Sequence, residues 1–190
     1  AKLEFRIVND KAMDPGQVAT LIGELEKTGG FSFKEGGQQK FSEYVAQLNK
    51  AAEGKIPADS EIAFERVAAG ANGDPNAPGT RIPYLIFKKA DVTGDDLQDA
   101  SVGINQENRS PEVQFSLNPR GADLFDKLTG DHVRDRLAIV LDNIIHSAPV
   151  INGRIPGGRG VITLGRGDGD KIMKEAKDLA IVLRAGALPA

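Results

Sequence analysis

A chain of 190 residues can form one domain of ample core size, or a domain plus an appendage. Its formal charge of −3 excludes the electrostatic footprint of a nucleic-acid or anionic-membrane binder, and its lack of cysteine excludes disulfide staples, thiolate catalysis and cysteine-based zinc sites while suiting cytoplasm and periplasm equally. No run reaches the ~18 to 20 apolar residues of a membrane helix, and the N-terminus lacks the basic-then-apolar layout of a signal peptide, so the chain reads as a soluble globular one.

Leu3, Phe5 and Ile7 alternate with Lys2, Glu4 and Arg6, which predicts a strand over 2–8 with one buried and one wet face. Asp14 before Pro15 is an N-cap followed by a first-turn proline, and Val18, Leu21, Ile22 and Leu25 then form a helical stripe that stops at Gly29-Gly30. Phe41, Tyr44, Val45 and Leu48 repeat that spacing, predicting a second helix that fades near Gly54 before Pro57. Two strand-like stretches, 61–67 and 82–89, flank the turn-rich segment 69–79. A hairpin with a long loop is expected there.

Residues 101–105 and 113–117 flank Asn108, Ser110 and Pro111 and predict another hairpin. In its second strand Val113, Phe115 and Leu117 alternate with Gln114, Ser116 and Asn118, the pattern of one buried and one solvated face. Asn118-Pro119 starts a helix with Leu124, Phe125 and Leu128 facing inward. Leu137–Leu141 is a continuous apolar strand expected at the centre of a sheet. The next strand, from Ile144, meets Pro149, which cannot donate to a ladder and so marks an edge or a bulge.

At the end of the chain Ile172, Ala176, Leu179 and Leu183 share one helical stripe, while Lys171, Lys174, Lys177 and Asp178 fill much of the opposite side. Arg184 suits the negative end of the helix dipole, Gly186 is a natural left-handed cap and Pro189 prevents continuation. Ile181 and Val182 lie off the stripe, so the end of the helix is apolar over a wider arc. Strands in hairpin succession, broken by a few helices, predict an α+β fold: a mainly antiparallel sheet, packed helices and a C-terminal connector helix.

No catalytic constellation is legible. Asp142, His146 and Ser147 invite a triad reading, but on one extended strand Asp142 and His146 stand about 13 Å apart at ~3.3 Å per residue, and His146 and Ser147 point to opposite faces. His132 and His146 are the only histidines and share no helical turn, so a zinc site would need carboxylates from elsewhere. Asp91, Asp95, Asp96 and Asp99 with Gly94 lack the order of a calcium loop and read as a polar turn leading into a strand. The glycines at 157–160 and 165–169 lack the spacing of a phosphate loop. Gly157-Gly158 is read as a hairpin turn, and Asp168 and Asp170 as N-terminal support for the last helix. Catalytic, metal and cofactor-binding residues are therefore all predicted as none.

Four segments, in order, resemble the SecD family of protein-export membrane proteins. They are Leu3-Glu-Phe-Arg6; Val113-Gln-Phe-Ser-Leu-Asn118 with Gly121-Ala122, Phe125 and Thr129; Leu137-Ala-Ile-Val-Leu-Asp142 with Ser147-Ala-Pro-Val-Ile151, Ile155, Gly157-Gly158 and Ile162–Gly165; and Glu175-Ala176 through Leu183-Arg-Ala-Gly-Ala-Leu-Pro189. Residues 9–110 match only loosely. The resemblance implies the large extracytoplasmic domain between the first two membrane spans, on the periplasmic side of the inner membrane. It implies a head over 1–165, and over 166–190 a hinge and connector leading to the second span.

Its implied partners are SecF, the Sec channel and the unfolded exported polypeptide, with no cofactor and no enzymatic activity. A hinge is expected near Gly165, Gly167 and Gly169, because glycines permit large backbone changes just before the connector. Ile172, Ala176, Leu179 and Leu183 are expected to pack the connector onto the head. Some of Ile181, Val182 and Leu188 are expected to be exposed, since part of the surface they cover would lie in other segments of the family's proteins. The competing expectation is a small-molecule or regulatory binding module of another transporter, marked by a preformed concave apolar pocket with convergent polar groups, whereas a flat apolar groove or a free strand edge would mark polypeptide capture.

Overall fold

The computed structural model describes residues 2–67, 80–163 and 169–187. Its elements in chain order are β1 (Leu3–Ile7), α1 (Pro15–Gly29), α2 (Phe41–Ala51), β2 (Ser60–Val67), β3 (Thr80–Phe87), β4 (Val92–Thr93), β5 (Leu97–Ile104), β6 (Pro111–Leu117), α3 (Pro119–Asp131), β7 (Leu137–Leu141), β8 (Ile144–Ser147), β9 (Arg159–Thr163) and α4 (Gly169–Ala187). They build two sheets, ordered β3-β2-β8-β7-β1-β4 and β5-β6-β9. Every pairing is antiparallel except the single β2–β8 contact, Glu65 beside Ile145. This is an α+β fold, as the hairpin succession predicts.

Local chemistry explains the boundaries. The Asp14 carboxylate accepts from Gln17 N at 2.8 Å while the Gln17 side chain accepts from Asp14 N at 3.0 Å, a reciprocal capping box in front of Pro15. Asn118 accepts from Gly121 N at 2.7 Å and starts α3 in the same manner. Asp142 and Asn143 adopt φ of 49° and 67°, the two left-handed positions that let a two-residue turn join β7 to β8. The loop at 69–79 lies outside the described residues, although β2 and β3 do pair as a hairpin. Pro149 sits just past β8, its carbonyl accepting from Leu137 N at 2.9 Å, and the β7–β8 register shifts between Ile139 and Val140.

β1 corrects the expectation of one wet face, because all five of its residues are buried. Its outer edge is shared: Glu4 and Phe5 pair with β4, whereas Val8 bridges Ile86 of β3 and Asn9 N donates to Leu85 O at 2.8 Å. The larger sheet thus closes on itself through β1, β7, β8, β2 and β3. Val8, Ala63, Tyr84, Ile86, Ala138, Val140 and Ile145 fill the inside, small residues alternating with large ones as a narrow ring requires. Glu4 and Arg6 share that inner face. There Arg6 pairs with Glu4 at 3.0 Å and with Glu61, which is how charged groups survive burial.

Outside the ring, α1 and α2 cover Ile62, Phe64 and Leu85. Across the other outer face, Leu3, Phe5, Leu137, Ile139 and Leu141 meet the three-stranded sheet, α3 and α4 in the largest core.

Candidate functional site

An open apolar cleft lies where the two sheets meet. Alternation on β6 turns Phe115 inward, and its ring lies over Gly160 of β9, where an added Cβ would fall 2.6 Å from Phe115 Cε1. The glycine therefore makes room for the ring. Phe5, Phe115 and Phe125 stand 5.5 to 5.9 Å apart, centroid to centroid, in tilted and edge-on pairs, the arrangement aromatic quadrupoles favour. They form the floor of a cleft of about 470 Å³, within the ~300–1,000 Å³ usual for ligand sites.

One wall of the cleft is the connection from β8 to β9, residues 149–155. It is fixed at one end by Arg134 N donating to Ile151 O at 2.7 Å and Ile151 N to Asp135 O at 2.8 Å. At the other end Ile155 N donates to the buried Thr129 hydroxyl at 2.9 Å, and Arg154 forks onto Asp126, with Nη2 at 3.2 Å from Oδ2. Among the described residues Arg154 is the one charged residue lining the cleft. Its hydrogen bond holds the Asp126 carboxyl below the usual carboxylate range, and Asp126 in turn raises the guanidinium. The lining thus carries one cation, paired with a carboxylate.

The opposite wall is β9, which among the described residues is an edge strand paired only with β6. Leu117 N donates to Gly158 O at 2.7 Å, so this directly opposed pair is hydrogen-bonded. By the alternation of an antiparallel ladder, Gly160 and Ile162 also bond to β6, while Arg159 and Val161 direct N–H and C=O away from it. Val161 is 52% exposed, and Val150 on the facing wall is 42% exposed. On the outer face of the same sheet a shallower polar hollow of about 380 Å³ carries Asp99, Ser101, Gln114, Ser116 and Arg159.

Of the sequence-predicted residues, Gly165 and Gly167 lie outside the described residues, as do the aspartate and arginine between and beside them. Gly169 opens α4. Ile172, Ala176, Leu179 and Leu183 are all buried, the last three in the large core that includes Ala100 of β5 and Val113 of β6. Ile181 is 63% exposed. Leu188 and the Val182 side chain lie outside what is described.

Asp142 accepts from Lys2 N at 2.8 Å, and the Ser147 hydroxyl is buried without a partner. Among the described residues no hydrogen bond links Asp142, His146 and Ser147. Burial lowers the His146 pKa, and the Asp142 charge opposes that shift. His132 instead meets Asp135, Nδ1 to Oδ2, at 2.9 Å.

The acidic run forms a one-turn helix at Gly94–Asp96, where Asp96 accepts from Thr93 N at 3.2 Å and Asp99 pairs with Arg184 at 3.3 Å. Gly157 and Gly158 do make a left-handed turn, with φ of 81° and 71°. The turn is not a hairpin between sequential strands, since β9 pairs with β6 in the other sheet and Gly158 packs tightly against Ala122 of α3. The cleft and the free edge of β9 escape sequence reading. Their only local signal is the β-branched run Val161-Ile162-Thr163 after the glycine turn.

Fold and site together define a two-sheet α+β head domain with an open apolar cleft at the junction of its sheets. The family model for the SecDF P1 head subdomain matches residues 68–190. Protein translocase subunit SecD of Magnetococcus marinus is 43% identical over 143 residues, 75% of this chain and 25% of that protein. The same subunit of Desulfurispirillum indicum is 42% identical over 142 residues, 74% of this chain and 26% of that protein.

Two solved SecDF structures agree at 29% identity over the whole chain. One is a super-membrane-facing form, with a TM-score of 0.52 over 19% of its length; the other, described as a membrane component that enhances protein export, gives 0.51 over 64%. The chain belongs to the SecD family. It spans about a quarter of the length of these curated relatives, which are membrane translocase subunits, and among its described residues no helix is long and apolar enough to cross a membrane.

Proposed function

We propose that this domain receives unfolded polypeptide during protein export, on the periplasmic side of the inner membrane, as part of a protein that works with SecF beside the Sec channel. It acts by binding and movement rather than by catalysis. The observation that carries the reading is the largely apolar cleft, its one lining cation paired with Asp126, open along one side to a strand edge. A surface that must accept many sequences needs sequence-tolerant contacts, and apolar area plus backbone hydrogen bonds supply them. A small-molecule module adds several convergent polar groups to a concave apolar pocket, and among the described residues Asn152 and Arg154 are the polar side chains that line this cleft. In the full-length protein the segment around Gly165–Gly169 serves as a hinge, and the proton gradient drives the movement through membrane spans.

The test is binding of a reduced, alkylated and permanently unfolded protein to the domain. Val150→Asp puts a charge on the cleft wall and Val161→Asp puts one at the strand edge, on the outer face beside Arg159; both change exposed side chains and leave folding within about 0.5 kcal/mol. Binding to each variant is expected to weaken about tenfold, the equivalent of ~1.4 kcal/mol. Unchanged binding by both variants, or no binding by the parent domain, overturns the reading.

A further inference from the structure

We infer that the polypeptide is held as an added β-strand along the free edge of β9, its backbone paired with Arg159 and Val161 and every second side chain turned into the apolar cleft. The inference rests on the polypeptide-binding reading above and specifies its geometry. Three observations carry it. First, the register fixed by Leu117 N to Gly158 O leaves the N–H and C=O groups of Arg159 and Val161 pointing away from β6, and an unpaired edge is a template for one more strand. Second, the cleft is bounded by Gly160, Val161 and Ile162 on one side and by residues 149–155 on the other, so the open volume lies directly along that edge. An added strand there would extend the β5-β6-β9 sheet without a break.

Third, charge selects the occupant. Arg154 is paired with Asp126, and the other described residues of the lining are uncharged, so an apolar segment faces no unpaired charge among them. The alternate side chains point to the solvated face, beside Arg159 and the exposed Val161 of β9 and, behind them, Gln114 and Ser116 of β6. The ligand is therefore an extended segment with apolar residues at every second position, recognised through its main chain and not through its sequence.

The experiment uses a fluorescent peptide alternating valine with serine, and two versions of it N-methylated at either the valines or the serines. An added strand bonds β9 through the N–H groups of one residue set only. One methylated peptide is expected to keep the parent affinity and the other to lose about tenfold or more. Alongside, Val161→Pro removes the outward N–H without touching the β6 ladder, a position where an edge strand tolerates proline. It is expected to lose binding by about the same factor, while Val161→Thr retains it and both keep the parent's thermal unfolding.

Equal affinities for the two methylated peptides, or full binding by Val161→Pro, overturn the strand-addition mode and leave polypeptide binding standing. If the unmodified peptide does not bind, the functional reading itself fails. Concentration-dependent dimers that the peptide does not dissolve would assign the edge to a second copy of the chain and overturn the inference as well.

Discussion

Arg6 shows how far a single side chain's role can depart from its pattern. Alternation along 2–8 marks it as solvent-facing, but closure of the sheet turns it inward with Glu4, each side chain about 8% exposed. Its Nη groups reach Glu4 and Glu61, while its Nε has no partner. Removing one member of such a pair leaves a buried, uncompensated charge. Arg6→Met is therefore expected to lower unfolding free energy by about 3 kcal/mol or more, and adding Glu4→Gln to recover much of that. Denaturant titration of the two single variants and the double variant reads the coupling. Additive losses would mean that the pair contributes nothing as a pair.

At the scale of elements, α4 separates packing from surface along one helix. Leu183 is 1% exposed and Ile181 is 63% exposed, two residues apart and nearly opposite on a helical wheel. Leu183→Ala is expected to cost about 2–5 kcal/mol by leaving a cavity, and Ile181→Ser within about 0.5 kcal/mol. Chemical denaturation decides it, and a costly Ile181→Ser would reveal packing on that face.

This stripe was legible because helical period alone assigns its faces, and the capped start of α1 and the β5–β6 hairpin were legible through their own turn chemistry. Strand burial on β1 was not, because alternation reports two faces without saying what covers the second. In a sheet that closes through Val8 and Ile86, the covering is made by residues some eighty positions away. The edge of β9 was hidden for the same reason. Which strand lacks a neighbour is a property of the order β5-β6-β9, not of any one segment.

At the scale of the molecule, two sheets and four α-helices among the described residues place an open apolar cleft on a scaffold whose last helix is firmly docked. On the proposed function, motion between the head and the rest of a SecD protein falls to the glycines at 165, 167 and 169. Gly165→Pro or Gly167→Pro in the full-length protein is expected to slow export while the thermal unfolding of the domain stays unchanged. Normal export rates by both variants would remove the hinge.

The most direct test of polypeptide handling is site-specific photo-crosslinking in the intact membrane protein, engaged with a stalled export substrate. Probes at Val150 and Val161 should crosslink strongly to the substrate, and probes at Lys174 and Lys177 on the exposed side of α4 weakly or not at all. Equal yields from all four positions, or none from the cleft, would contradict the account.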